Sequence, residues 1–318
     1  MRLNRRAIAA LSAVSLIGSS ITLPSAAHAK PDQITIYTGP LNTSYYIIGG
    51  WLATLLQKDG VKANSENGGA VANIIRVSGN VKSIGMTSAV LTPVAKAGEK
   101  PFAKPISNTC AIQTFAHAAF QLLVRKDSGV KAAADLKGKK FSYQAPGTIS
   151  NFTFVHYLQV HGMKLTDVQG AVGGQVFGSD GVKDRRFVGF VAMSSYPSAP
   201  YADAARSVPS MLLPIDDATF AKLQKLNPGY DRAIVPAGTY QGQDKPVPSF
   251  GTVSYIFMNT GSSEADQYYV TKMLHTHWKD FYATHAATRY VTLKTAAKIP
   301  GTPLCPGAAK YWKEVGAL

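Results

Sequence analysis

Past residue 29 the chain alternates short β-branched runs with stretches of helical period. Ile34–Thr38 predicts a strand, and Gly39-Pro40-Leu41-Asn42 predicts a turn. Tyr46, Ile47, Trp51, Leu52 and Leu55 then recur at helical spacing and predict a helix over Tyr45–Gln57. Val61–Ser65 reads as a second strand, closed by the loop Glu66-Asn67-Gly68-Gly69-Ala70 before a helix over Val71–Val77. Val81–Met86 is a short apolar strand ending in Thr87-Ser88. This β-α-β-α-β order requires a parallel sheet with helices on its faces.

The rest of the chain repeats the logic. Ala111–Val124 is long and apolar and suits strands crossing between two lobes. A helix-like turn over Ala132–Leu136 and a strand over Phe141–Gln144 follow. The loop Ala145-Pro146-Gly147-Thr148-Ile149-Ser150 leads into a helix over Asn151–His161. Lys183–Met193 predicts a strand ending in Ser194-Ser195-Tyr196-Pro197. Leu212–Ile215 predicts another, and Asp216–Leu226 an acid-started helix. Phe250–Asn259 is β-rich and leads back to the first lobe. Ser262–Ala283 predicts one long helix, before a turn-rich tail over 299–318.

The flanks and the charge add a compartment. Arg2, Arg5 and Arg6, the apolar run Ala7–Ile21 and the small-x-small step Ala27-His28-Ala29 predict an export signal over 1–29, cleaved after Ala29, hence a periplasmic protein. Arg5-Arg6 alone does not make a twin-arginine motif. Of the 318 residues, 46% are hydrophobic and 16% charged, with 33 Lys+Arg against 18 Asp+Glu. Setting aside the three arginines before residue 30 leaves 30 basic residues against 18 acidic. The excess favours anionic ligands. Nucleic acid is not expected, because the lysines are scattered without a basic run. Cys110 and Cys305 form the only cysteine pair. In an exported chain a disulfide between them is the first hypothesis, and two buried free thiols the other.

Little chemistry for turnover is present. Glu66, Glu99, Glu264 and Glu314 are the only glutamates, and no nucleophile elbow, P-loop or His-Glu-x-x-His occurs. His275 and His277 lie two apart on the expected helix, the wrong spacing for shared metal ligation. His117 stands alone in an apolar stretch. Arg76, Arg185 and Arg186 are expected at the surface. The strand–polar loop–helix steps at Ser44 and Thr148 suit small anions, whose charge meets free backbone N–H groups at a helix start. For each hydroxyl the alternative role is N-capping of the adjacent helix.

Taken together, Tyr45-Tyr46-x-x-Gly49-Gly50, Gly68-Gly69-Ala70-Val71-Ala72-Asn73, Asp127-Ser128-Gly129 with Asp135-Leu136-Lys137-Gly138-Lys139, Ala145-Pro146-Gly147, Pro236-Ala237-Gly238-Thr239-Tyr240 and Pro306-Gly307-Ala308-Ala309-Lys310-Tyr311 give a specific pattern. In order and spacing it resembles the TAXI family of substrate-binding proteins, the periplasmic receptors of one branch of TRAP transporters. The chain departs from that family at Thr43-Ser44 for Gly-Thr, at Ala70 for Ser, at Thr148-Ile149 for Ser-Gly, and at Cys305 for His. Three of these four departures lie where the resemblance places the ligand.

The resemblance implies an α/β, two-lobe periplasmic-binding-protein fold (type II-like), with the cleft between hinged lobes. Lobe I would span 30–124 and 251–318, and lobe II 125–250. It implies a non-catalytic monomer that needs no cofactor and hands an acidic amino acid, dicarboxylate or related carboxylate to a membrane TRAP permease. Carried over residue by residue, the ligand contacts are Ser44, Tyr45, Gly69, Ala70 and Ser88 on one lobe and Gly147, Thr148, Ser194 and Tyr196 on the other. A ligand-sensing subunit for a membrane signalling partner and an exported enzyme on the same scaffold are the competing expectations.

Overall fold

The structure is a computed structural model that describes residues 30–41 and 43–318. The expected export signal and Asn42 lie outside the described residues. Strands β1 (Gln33–Tyr37), β2 (Lys62–Glu66) and β3 (Ser83–Ser88) pair in parallel with β1 in the middle. Helices α1 (Ser44–Lys58) and α2 (Ala70–Ser78) make the crossovers. Thr43 accepts a hydrogen bond from the Tyr46 N–H and so fixes the first turn of α1, whose Ile48, Leu52 and Leu56 lie buried at four-residue spacing. The short α3 (Leu91–Ala97), which follows β3, has no signal in the sequence pattern.

Two long strands organise the rest. The expected apolar run is one continuous strand, β4 (Thr109–Arg125). Past it come β5 (Lys140–Tyr143), α4 (Ile149–Val160), β6 (Gln169–Val172), α5 (Gln175–Lys183), β7 (Gly189–Ser194), α6 (Ala199–Ser207), β8 (Ser210–Leu212), α7 (Asp217–Leu226) and β9 (Asp231–Val235). The second long strand, β10 (Val247–Asn259), runs antiparallel to β4 from the pair Gly251–Ala119 to the pair Asn259–Thr109. One ten-stranded sheet results, ordered β2-β1-β3-β10-β4-β7-β5-β6, with β8 on β4 and β9 on β10.

The apolar side chains gather on either side of the β4–β10 crossing. Ile36, Ile48, Leu52, Ile84, Ile256 and Trp312 belong to one cluster, and Phe120, Phe141, Phe154, Tyr230 and Phe250 to another. Two further clusters lie beside these, and the long strands β4 and β10 supply residues to several of the four, so the chain is a mixed α/β structure organised along these two strands. Cys110 at the start of β4 and Cys305 are joined by a disulfide, with Cα atoms 4.8 Å apart. Cys305 precedes the last helix, α10 (Pro306–Glu314), and Trp312 of that helix donates from Nε1 to the Ile112 carbonyl at 2.9 Å.

Three sequence expectations are corrected. Residues 183–193 are not one strand. Lys183 ends α5, Asp184 caps it, Arg185 turns back with a φ of 60°, and β7 begins only at Gly189. The strand expected over 212–215 lies two residues earlier, although Leu213 and Ile215 still donate to the Leu122 and Pro248 carbonyls. The single helix expected over 262–283 is two, α8 (Glu264–Thr276) and α9 (Trp278–Thr284). They break at His277, whose Nδ1 lies 3.0 Å from the Met273 carbonyl and competes with the helical ladder. Past that break Trp278 stacks on Trp312, with ring centroids 6.1 Å apart.

Candidate ligand-binding site

The β2–α2 loop is built around Asn73. This fully buried side chain donates from Nδ2 to the Thr38 carbonyl at 2.9 Å and to the Met86 carbonyl at 2.8 Å. Its Oδ1 accepts from the Gly69 N–H at 3.2 Å. One amide therefore ties the carboxyl ends of β1 and β3 to the start of α2. Gly68 is required by this packing, because a Cβ there would stand 2.1 Å from Asn73 Oδ1 and 3.1 Å from the Thr38 carbonyl oxygen. Gly69 caps α2 without a side chain, so the N–H groups of Ala70, Val71 and Ala72 begin the helix with no capping oxygen.

Across from it, the β5–α4 loop ends in Gly147 and Thr148. Gly147 has a φ of 86°, the left-handed region that a Cβ disfavours. The Thr148 hydroxyl donates to the Ala145 carbonyl at 2.8 Å and accepts from the Asn151 N–H at 3.1 Å. It is the N-cap of α4, and its hydrogen-bonding capacity is directed inward.

The two helix starts line one cavity of about 950 Å³. Gly68 to Ala72 form one side, and Gly147 to Ile149 with Asn151, Phe152 and Val155 the other; Leu91 and the Lys100-Pro101 step, a cis peptide, complete it. The size fits a small-molecule site. Among the described residues Lys100 is the only ionisable side chain of the lining, and no carboxylate belongs to it. Asn151 is 8% exposed, and its Nδ2 has no hydrogen-bond partner. An orphaned buried donor costs about 1–3 kcal/mol. Here it stands in the wall of the cavity.

Of the nine expected contacts, Gly69, Ala70, Gly147 and Thr148 meet at this cavity. The other five stand apart from its lining. Ser44 opens α1, and Tyr45 beside it donates from its hydroxyl to Ser254 Oγ at 3.0 Å and sets its ring edge-on to Phe115. Burial pushes the Tyr45 phenol up to about 12. The buried Ser88 hydroxyl lies 3.2 Å from the Thr252 hydroxyl. Ser194 accepts from Gln121 Nε2 at 2.8 Å, and half-buried Tyr196 precedes the second cis proline, Pro197.

The other singled-out residues are engaged elsewhere. Arg76 Nη1 donates to the Asn67 carbonyl at 2.8 Å, lies 3.9 Å from Glu66 and covers the Tyr37 ring. Arg185 pairs with Asp127, and Arg186 with Asp184. His117 Nε2 donates to Asp231 at 3.0 Å and stacks on Tyr290. His156 on α4 lies 2.9 Å from the Tyr230 hydroxyl, and burial lowers its pKa to about 4. Among the described residues no cluster of His, Cys, Asp and Glu could hold a metal ion, and no helix is long and apolar enough to cross a membrane.

Sequence reasoning missed Asn151, Phe152, Leu91 and the Lys100-Pro101 step. Asn151 carried a signal: it is a polar residue three places after an N-cap, at the head of an apolar helix. Lys100 and Pro101 carried none, because their place depends on how the segment after α3 returns to the cleft.

Comparison with solved structures places the fold. A TctC solute binding protein from Polaromonas aligns over 93% of this chain and 100% of that one, at 12% identity and a TM-score of 0.52. The periplasmic sulfonate-binding protein SsuA from Methylobacillus flagellatus aligns over 83% and 75% at 15% identity, with a TM-score of 0.48. The periplasmic aliphatic sulphonate binding protein SsuA from Escherichia coli aligns over 89% and 79% at 15% identity, with a TM-score of 0.45. The mixed α/β fold is shared with the Polaromonas solute binding protein. A family model described as the NMT1-like family matches residues 36–316, and the chain belongs to that family.

Proposed function

We propose that this protein is an extracytoplasmic receptor that captures a small organic anion in the cavity between α2 and α4 and presents it to a membrane transporter. The observation that carries the reading is the convergence of two helix N-termini, one from each half, on a cavity lined by one lysine and no carboxylate. Backbone N–H groups at both helix starts favour negative charge. The shared strands β4 and β10 would let the halves close on the ligand and exclude water.

The same reading keeps Ser44, Tyr45, Ser88, Ser194 and Tyr196 as ligand contacts made only on closure, since none of them belongs to the lining. It takes residues 30–124 and 251–318 as lobe I, 125–250 as lobe II, and residues 1–29 as the removed export signal. The family membership, and the Polaromonas neighbour's name as a solute binding protein, support a non-catalytic role. The motif resemblance to the TAXI receptors supports a TRAP-type permease as partner to a monomeric receptor.

Isothermal titration of the chain from residue 30, with mass spectrometry of any co-purified ligand, tests this. Stoichiometric binding of an organic anion, lost on adding bulk at Ala70 (Ala70→Phe), is the expected result. Absence of binding by carboxylates, sulfonates and amino acids alike would refute it.

A further inference from the structure

The lining of the cavity is uneven. Apart from Lys100, its free polar groups cluster at the two helix starts, whereas Val71, Leu91, Pro101, Ile149, Phe152 and Val155 contribute only apolar side chains. From this we infer that the ligand is a single anionic head on an apolar body, an alkyl or aryl monoanion, with Asn151 as the residue that selects its head. The inference rests on the receptor reading above and narrows it.

Three observations carry it. The first is the Asn151 amide, which is more than nine-tenths buried and lacks a partner at Nδ2. A buried donor without an acceptor is out of place in a resting protein; Nδ2 is sealed from solvent in this arrangement, and closure of the two halves would bring an oxyanion beside the α4 N-terminus to it. The neighbouring Thr148 hydroxyl cannot take that role without giving up the bond it donates to the Ala145 carbonyl.

The second is the absence of any carboxylate from the lining. An amino acid would bury its ammonium with no acceptor of opposite charge, and a buried unpaired charge is strongly disfavoured. The acidic amino acids implied by the family resemblance therefore fit this chain poorly. The third is the wall itself. Lys100 is exposed at the cavity and can meet one carboxylate through solvent, but away from it the second carboxylate of a short dicarboxylate would be pressed against aliphatic carbon and the Phe152 ring, with loss of its hydration. A hydrocarbon chain or ring in the same place releases water from apolar surface on both sides. Ala70, where the TAXI resemblance implies Ser, leaves this wall without a hydroxyl at that position.

The shared chemistry is an oxyanion head, so a carboxylate and a sulfonate are both candidates and are separated by experiment. Titration calorimetry on the chain from residue 30 would compare hexanoate, phenylacetate and hexanesulfonate with glutarate, 2-oxoglutarate and glutamate. The expected result is at least tenfold tighter binding of one apolar-bodied monoanion than of any member of the second group; the tighter of hexanoate and hexanesulfonate names the head. Asn151→Leu should weaken that ligand at least tenfold while leaving the melting temperature unchanged or higher, because the variant removes an unsatisfied donor. Should Asn151→Leu fail to fold, Asn151→Asp serves instead. It keeps the size and repels the anion; its loss of binding should recover partly below the Asp carboxyl's pKa for a sulfonate head, which stays ionised, and not for a carboxylate head, which is protonated in the same range.

Tighter binding of glutarate, 2-oxoglutarate or glutamate would overturn the inference and leave the receptor reading standing. Equal binding by the parent and both Asn151 variants would overturn the role of that residue. Failure of all six compounds would overturn the receptor reading and this inference together.

Discussion

The Asn73 side chain and the Gly69 backbone N–H meet at 3.2 Å, and through that contact the start of α2 is held to the ends of β1 and β3. The loop at the cavity is therefore set by the interior of the sheet and not by its own turn chemistry. A polar residue sits in the core here because all three of its hydrogen bonds are made. In a low-dielectric interior such a satisfied group specifies one arrangement of the backbone.

Asn73→Leu should cost about 2–4 kcal/mol, since it leaves the Thr38 and Met86 carbonyls and the Gly69 N–H without their partner. Gly68→Ala should cost less, about 1–3 kcal/mol, by driving a Cβ into Asn73 Oδ1. Chemical denaturation measures both. Ligand affinity should fall in the surviving Gly68→Ala protein, because the loop it displaces lines the cavity. Unchanged stability in both variants would mean that the loop is held by something else.

Thr148 lets capping and ligand contact be told apart. Thr148→Val should lower stability by about 1 kcal/mol through loss of the cap, and Thr148→Ser should restore it. If the hydroxyl acts only through the loop, the Ser variant also binds ligand as the parent does, and the Val variant loses only modest affinity. A large loss of affinity in Val at unchanged stability would instead place the hydroxyl on the ligand.

The halves of this molecule were legible in the sequence to different degrees. The first sheet segment alternates β-branched strands with helices carrying apolar residues at three- and four-residue spacing, so its five elements emerged within a residue or two. The region from 165 to 207 was poorly legible. α5 carries Gly178 and Gly181 and little apolar periodicity, and α6 begins with Ala199-Pro200, so both are held by packing against β7 and each other. Half of the cavity was visible in the small-residue loops at Gly69 and Gly147. The rest was not, because Leu91 and Lys100 come from a segment whose return path is tertiary, and because Ser88 and Ser194 face partners that only strand register determines.

The pH response of stability has two separable windows. His156 titrates near 4 when folded and near 6.5 when unfolded, so the folded state binds fewer protons between those values. Its contribution is whole above pH 6.5 and is lost as pH falls toward 4, on the order of 1–3 kcal/mol for a half-buried group. Asp127 and Asp135 are held below the usual carboxylate value, Asp127 first by its hydrogen bond from Arg185 and Asp135 first by the Lys131 N–H. Their contribution is lost only below that value. His156→Gln should reduce the slope of melting temperature against pH between 6.5 and 4, leave the smaller part due to His161 and His275, whose pKa values burial also lowers, and leave the more acidic fall in place. A parallel profile for the variant would remove His156 as the cause.

The disulfide joins two places that the chain itself separates by 195 residues, the start of β4 and the cap of α10. Both cysteines are buried, and the contact they staple is also made by the Trp312 indole on the Ile112 carbonyl and by the Cys305 N–H on the Ala111 carbonyl. The native contact therefore does not depend on the bond, and its effect falls on the unfolded chain. Closing a loop of this length corresponds to about 3–5 kcal/mol in the chain-entropy model. Replacing both cysteines by serine should lower the melting temperature by on the order of 10 °C and leave ligand affinity near that of the parent. Reductant should lower the parent's midpoint toward that of the variant and leave the variant unmoved. Should the variant lose affinity in proportion to stability, α10 would be coupled to the cleft, and the tail would be part of the closing device and not only of the core.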